Sequence, residues 1–139
     1  MTNNLLVSSA TITVTNYTEI YDDAAAFNPL PGIYTVPATG LYSFSASAAW
    51  ASTAAGTNVN YLCRISVNYA GGGNTFVSQT AIPATTLPGY GITLNTGGEL
   101  KLSTGDQVRL EVSHSSGSSI TLYGGATSST TSFSGHRVY

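Results

Sequence analysis

The stretch VPATGLYSFSASAAW, residues 36–50, alternates large and small side chains with a period of two. Its aromatic residues Tyr42, Phe44 and Trp50 all occupy even positions. Since successive side chains of a β-strand point to opposite faces of its sheet, this pattern predicts a strand whose aromatic face fills a core. The opposite face is uncharged and mostly small, with Ser43, Ser45 and Ser47 in succession.

Charge is scarce along the whole chain. The 139 residues include four Lys and Arg and six Asp and Glu, which make up 7% of the sequence and give a net charge of −2. A nucleic-acid partner is not expected, because phosphate binding needs clustered Lys and Arg. The length predicts one domain. Because a weakly charged surface protects a protein poorly against association, we expect much of the neutral surface of this domain to be buried between subunits.

Period-two alternation recurs in other segments, such as NYLCRISVNY (60–69) and DQVRLEVSH (106–114). Turn signals rich in Gly, Pro, Asn and Ser separate these segments, and no segment follows the helical period. About nine or ten short strands are predicted, which favours an antiparallel sandwich or barrel. One of the strands is expected to be interrupted by the flexible TGG at 96–98. Residues 1–9 are predicted to be an N-terminal arm and residues 10–139 the domain.

Cys63 is the only cysteine, so the chain cannot form an internal disulfide. It alternates with core positions, which predicts a buried and inert thiol. The segment MTNNLLVSSA (1–10) lacks a basic stretch followed by a long apolar run, so no secretory leader is expected in this sequence. No stretch approaches about 20 apolar residues, and therefore no membrane insertion through a helix is expected.

Three longer segments follow one another in a recognisable order. They are FNPLPGIYTVPATGLYSFSASA (27–48), GGELKLSTGDQVRLEV (97–112) and TSFSGHRVY (131–139). Together they resemble the globular head of complement C1q and its relatives in the tumour-necrosis-factor superfamily, over about residues 10–139. The matching positions are Gly32, Tyr34, Pro37, Gly40, Tyr42, Phe44, Gly105, Asp106, Val108, Phe133, Ser134 and Gly135.

The resemblance implies an all-β, ten-stranded antiparallel jelly-roll β-sandwich that assembles as a homotrimer. One sheet would face outward, and the other, which includes residues 36–50, would pack against neighbouring subunits through its serines. Arg109 and Glu111 alternate with the apolar residues of their strand, the first of which is Val108. Their side chains therefore point to the other face, and we expect them on the subunit-facing side as well. His136 is also expected at the interface, although the family usually carries large apolar residues there.

Candidate catalytic and metal-binding groups are few. No Gly-x-Ser-x-Gly elbow marks a nucleophile, and His114 and Asp106 only flank one predicted strand, so no enzyme activity is predicted. Asp106 is expected to hold the TGDQ turn with its own side chain. Neither histidine lies in a zinc-ligand spacing. No cofactor is predicted, and calcium is the one alternative, because related heads sometimes bind it through loop carboxylates. The calcium candidates are Glu19, Asp22 and Asp23.

Loops at one end of the sandwich are the predicted ligand site, because binding residues concentrate on loops. The polar stretches are 70–75, 83–89 and 115–119. Tyr69 and Tyr90 flank two of them, and an aromatic ring beside polar loop residues suits a sugar, while the low charge favours a neutral ligand. The candidate ligand-binding residues are Tyr69, Asn74, Thr75, Tyr90, Ser116 and Ser118.

These features predict a non-enzymatic trimeric recognition and display head, at the end of a phage fibre or a bacterial surface filament. Its ligand would be a cell-surface glycan or protein. Two alternatives are a purely structural trimerisation cap of a longer fibre and a secreted C1q-like lectin. All three place the protein outside the cell or on a virion surface.

Overall fold

The computed structural model describes residues 4–19, 22–51, 59–83, 91–125 and 131–139. In these ranges the chain is all β, and they contain no helix long and apolar enough to cross a membrane. The described residues form eleven strands, where the sequence predicts ten. Two of these strands, Leu5–Val7 and Phe27–Asn28, are too short for an alternation to show in the sequence. The strands are β1 (Leu5–Val7), β2 (Ile12–Thr13), β3 (Phe27–Asn28), β4 (Ile33–Thr35), β5 (Gly40–Trp50), β6 (Asn60–Asn68), β7 (Asn74–Pro83), β8 (Ile92–Leu102), β9 (Gln107–His114), β10 (Ile120–Leu122) and β11 (Ser132–Arg137).

The strands form a sandwich of two antiparallel sheets. In sheet 1, β5 pairs with β8 on one side and with β11 and the end of β10 on the other, and β1 pairs with β10. Sheet 2 has the order β3–β4–β9–β6–β7, and β2 pairs with the same side of β9 as β4. Strand β5, which contains residues 40–50 of the alternating stretch, therefore lies centrally in sheet 1.

The core lies between the two sheets and is built from the alternating positions that the sequence predicts. Tyr42, Phe44 and Trp50 are each no more than 2% exposed. The Phe44 ring lies 5.6 Å from that of Tyr34 in sheet 2, and the Trp50 ring lies 5.3 Å from that of Tyr61. These rings cross from one sheet to the other, so they supply much of the apolar area that holds the sandwich together.

Strand β8 is continuous, and the predicted interruption at residues 96–98 is wrong. It pairs with β5 over eleven positions, from Gly40 opposite Leu102 to Trp50 opposite Ile92. A Cβ at Gly97 would come within 2.9 Å of the carbonyl oxygen of Phe44. The glycine thus allows a close approach of the two strands, and the ladder with β5 keeps it extended.

The first residues of the chain belong to the sandwich. Residues 5–7 form β1, which pairs with β10, and Val7 is fully buried in the core. His114 of sheet 2 contacts the carbonyl oxygen of Val7 at 2.8 Å through its Nε2 atom. The boundary predicted after residue 9 therefore does not separate an arm from the domain, because these residues complete sheet 1.

Candidate functional site

The outer face of sheet 1 is a surface of small polar residues, which we call the serine face. It bears Ser45 and Ser47 on β5 and the aligned Ser134 and Ser132 on β11. The hydroxyl groups pair across the strands, at 2.8 Å between Ser45 and Ser134 and at 3.0 Å between Ser47 and Ser132. A shallow groove of about 480 Å³ crosses this face, lined by Ser45, Ala46, Ser47, Asn95, Thr96, Gly97 and Ser132.

Ser43 and His136 lie on the same outer face, nearer the start of β5. They are register partners, and Glu99 of β8 lies opposite Ser43 on its other side. Both Glu99 and His136 are exposed. The structure therefore brings four of the six residues predicted for the subunit interface, the three serines and His136, onto one surface.

The other two residues predicted for the interface, Arg109 and Glu111, lie on the opposite side of the molecule. They point away from the core as predicted, because the alternating residues Val108, Leu110 and Val112 of the same strand are fully buried. However, β9 belongs to sheet 2, so the outward side of β9 is the outer face of sheet 2. The expectation that all six lie on the same sheet is therefore corrected. A contact of Arg109 and Glu111 with another subunit stays a prediction.

Glu111 is the centre of a charge cluster on that second face. Its Oε2 atom accepts hydrogen bonds from Nε of Arg64 at 2.8 Å and from the hydroxyl of Ser66 at 2.7 Å, and it contacts Nη2 of Arg64 at 2.7 Å. Its Oε1 atom accepts one from Nε of Arg109 at 2.8 Å. The sequence gives no sign of Arg64 and Ser66 as partners, because they come from β6 and meet Glu111 only through strand pairing.

Acid should weaken the fold through Glu111. Burial acts to raise the pKa of this carboxyl, but the hydrogen bonds from Ser66, Arg109 and Arg64 and the charge of Arg64 outweigh burial and hold the pKa below its ordinary value of 4.5. A carboxyl whose pKa is lower in the folded state stabilises the fold above its unfolded pKa, and this contribution is lost as the pH falls through the folded pKa.

We therefore expect the free energy of unfolding, measured in urea, to drop between pH 5 and pH 3, roughly across the carboxyl range. Glu111→Gln should reduce that drop. Glu19→Gln removes an exposed carboxylate outside the charge cluster and serves as the control. If the wild type and Glu111→Gln lose the same free energy on acidification, the ion pairs of Glu111 do not stabilise the fold.

The loops predicted to form one ligand site lie at opposite ends of the sandwich. The hairpin between β6 and β7 lies beside the β8–β9 turn, because Oδ1 of Asp106 accepts a hydrogen bond from the backbone NH of Ala70. The loop at 115–119 lies at the other end, where Ser115 donates its NH to Asn60. Strand β6 separates them by about 25 Å at the usual rise of a strand. We call these the Asp106 end and the Ser115 end, and the expectation of a shared end is corrected.

The individual loop candidates have different surroundings. Tyr69 is half-buried and packs against the core, whereas Asn74 is exposed at the start of β7 and Thr75 follows it. The hydroxyl of Ser116 lies 2.9 Å from Nδ1 of His114 and donates to the carbonyl of Ser118, so it has local partners already. Ser118 is exposed. Tyr90 and residues 84–89 lie outside the described residues.

The acidic residues proposed as calcium candidates do not converge on a site. No group of three metal-ligating side chains occurs within the described ranges. The carboxylate of Asp22 accepts hydrogen bonds from the backbone NH groups of Ala24, at 3.2 Å, and Phe27, at 2.7 Å, and so holds its own turn. Glu19 and Asp23 are exposed.

His114 and Asp106 do not combine into a catalytic arrangement. Asp106 precedes β9 at one end of the sandwich, and His114 is the last residue of that strand at the other. His114 is 3% exposed, and its ring lies 5.5 Å from that of Trp50. The carboxylate of Asp106 accepts hydrogen bonds from the backbone NH groups of Ser103 and Ala70, at 2.8 and 2.9 Å. This confirms that Asp106 holds the turn, and it ties the turn to the neighbouring hairpin.

Comparison with known proteins gives a relationship at the level of the fold. No protein-family model matches the chain, and no curated protein sequence matches it significantly. Among solved structures, the globular domain of the zebrafish complement 1qA protein matches with a TM-score of 0.63. The match covers 99% of this chain and 96% of that one, at 16% sequence identity. The chain has a C1q-like jelly-roll fold. The predicted resemblance is thereby confirmed for the fold.

The first and third matching segments pack against each other in this C1q-like fold. Strand β11 pairs with β5 so that Gly135 is opposite Phe44. The Phe44 ring lies over Gly135, and a Cβ at that glycine would fall 2.4 Å from two ring carbons. The ring of Phe133 stacks on Phe44 at 5.9 Å. In the order Phe-Ser-Gly, Phe133 therefore places its ring beside Phe44, and Gly135 leaves the space that the Phe44 ring occupies.

Cys63 should resist thiol reagents as long as the C1q-like sandwich is folded. The side chain is fully buried, and burial raises the pKa of its thiol to about 12. The reactive thiolate is therefore scarce at neutral pH and out of reach of a reagent. We expect labelling by a chromogenic disulfide at pH 8 to follow global unfolding in urea. Complete labelling of the native protein within minutes would contradict this placement of β6.

Proposed function

We propose that this chain is a non-enzymatic recognition and display head that assembles as a homotrimer through the serine face. The observation that carries the proposal is the chemistry of that face. Its central strand, β5, has no charged residue, and its outward side chains near the groove are small. Small residues allow a second subunit to approach closely, and the burial of charge without a partner would cost several kcal/mol per ion.

The C1q-like fold supports a role in recognition or assembly, because the matched structure is a globular domain of a complement protein. A phage fibre or a bacterial surface filament is the setting that we propose, with the protein on the virion surface or outside the cell. The low charge and the abundance of Ser, Thr, Gly and Ala in the sequence support this setting. If the trimer forms and binds no target, the purely structural cap is the correct description.

The end loops are the proposed place for a cell-surface glycan or protein, and the two ends can be tested separately. Asn74→Ala with Thr75→Ala changes the Asp106 end, and Ser118→Ala with Ser119→Ala changes the Ser115 end. Each pair is the matched control of the other. On an array of host glycans, we expect one pair to weaken binding by about tenfold or more, which corresponds to about 1.4 kcal/mol, while the other pair leaves binding unchanged. Full binding by both variants would refute a site built on these residues.

A further inference from the structure

The charge cluster of Arg64, Glu111 and Arg109 has hydrogen-bonding capacity that its internal ion pairs do not use. A guanidinium group has five N–H donors. Arg64 directs Nε and Nη2 at Glu111, while Arg109 gives Nε to Glu111 and Nη2 to the side-chain oxygen of Asn68 at 3.3 Å. Neither Nη1 group has a protein acceptor among the described residues. Both arginine side chains are 22% exposed, so these donors can be reached from solvent.

The two guanidinium groups are held in place before any ligand arrives. Glu111 is 7% exposed and binds both of them, so the carboxylate fixes how far apart they can be. The Arg64 guanidinium also lies over the ring of Phe76, with its carbon 4.3 Å from the ring centre. Stacking of this kind restrains a side chain that would otherwise be mobile. Little further ordering is needed for an anion to bind across the pair.

Local charge at the cluster differs in sign from that of the whole chain. The strands of sheet 2 contain two cations, Arg64 and Arg109, against one acid, Glu111. Their excess of one positive charge lies on a surface that is otherwise neutral. Outward-facing hydroxyl and amide side chains surround it, those of Thr13, Asn68, Gln79 and Gln107.

We propose that Arg64 and Arg109 bind one oxyanion, a carboxylate or sulfate, carried by an acidic saccharide. The planar guanidinium fork matches the geometry of such oxyanions. One excess charge suits a single anionic group better than a polyanion, and the neighbouring hydroxyl and amide groups suit the hydroxyl groups of a sugar. The site goes beyond the proposed function, because it lies on the body of the sandwich and needs neither the end loops nor the trimer.

The test uses the full chain labelled with ¹⁵N and three soluble probes. These are methyl β-glucuronide, which carries a carboxylate, glucose 6-sulfate, and methyl β-glucoside as the neutral match. We expect the Nε–H signals of Arg64 and Arg109 to shift saturably with one or both anionic probes and not with the glucoside. Arg64→Gln and Arg109→Gln should each weaken the apparent affinity by about tenfold, the usual order for a lost charge-assisted hydrogen bond.

Lys101→Gln removes an equal charge from sheet 1 and should leave the affinity unchanged. Arg109→Lys keeps the charge that Glu111 needs for folding but loses the planar fork, and it should bind at least several times more weakly than the wild type. The proposal is overturned if the glucoside shifts the arginine signals as strongly as the anionic probes. It is also overturned if Lys101→Gln weakens binding as much as the arginine variants, or if Arg109→Lys binds with full affinity.

Discussion

Gly135→Ala should destabilise the protein by about 3 kcal/mol, although the same change in an ordinary strand is favourable by roughly 0.5–1 kcal/mol. The added Cβ would lie 2.4 Å from two carbons of the Phe44 ring. That ring is 2% exposed and is packed against those of Tyr34, Tyr42 and Phe133, so it cannot turn away without displacing its neighbours. The midpoint of thermal unfolding should fall by roughly 10 °C.

The matched control for this change is Gly71→Ala at the tip of the β6–β7 hairpin. A Cβ at Gly71 meets no atom within 4 Å, so the control adds the same methyl group in open space. We expect its unfolding midpoint to stay near that of the wild type. The cost at Gly135 should also shrink in a Phe44→Leu background, because the smaller side chain leaves room and the two sites are coupled. Equal stability of Gly135→Ala and the wild type would contradict the packing described for β11.

Ser45→Arg should convert the proposed trimer into single chains. Ser45 lies in the groove of the serine face, with its hydroxyl 2.8 Å from that of Ser134. In an isolated chain the new guanidinium would be solvated and would cost little. In the proposed assembly each of three copies would bury a charge without a partner, at several kcal/mol each. Light scattering should give three times the chain mass of 14.3 kDa for the wild type, and the mass of one chain for the variant.

Thr35→Arg is the control for the assembly experiment. Thr35 is exposed on β4 and pairs with Gln107. An arginine at this position therefore lies on the outer face of sheet 2 instead of the serine face. This variant should keep the mass of the wild type. A wild-type mass of one chain at micromolar concentration would refute the trimer. A trimeric Ser45→Arg would refute the serine face as the contact surface and leave the trimer standing.

The sequence by itself determines which residues of each long strand face the core. In β5 the aromatic residues Tyr42, Phe44 and Trp50 are buried as the alternation predicts, and in β9 the apolar run that begins at Val108 is buried too. Side chains alternate along a strand wherever the strand lies in the fold, so the pattern alone is sufficient. The matching segments around Gly40, Asp106 and Gly135 also suffice to predict the C1q-like fold.

Only the tertiary structure decides which sheet and which end of the molecule a residue belongs to. Ser45 and Arg109 have the same outward parity on their strands, yet they lie on opposite faces of the sandwich. The loops at 70–75 and 115–119 are both predicted for one ligand site, yet they lie at opposite ends of the sandwich. Leu5–Val7 has too few residues to show an alternation, yet it completes sheet 1. The physical reason is that alternation is a property of one strand, whereas strand order and register are set by hydrogen bonds between segments far apart in the chain.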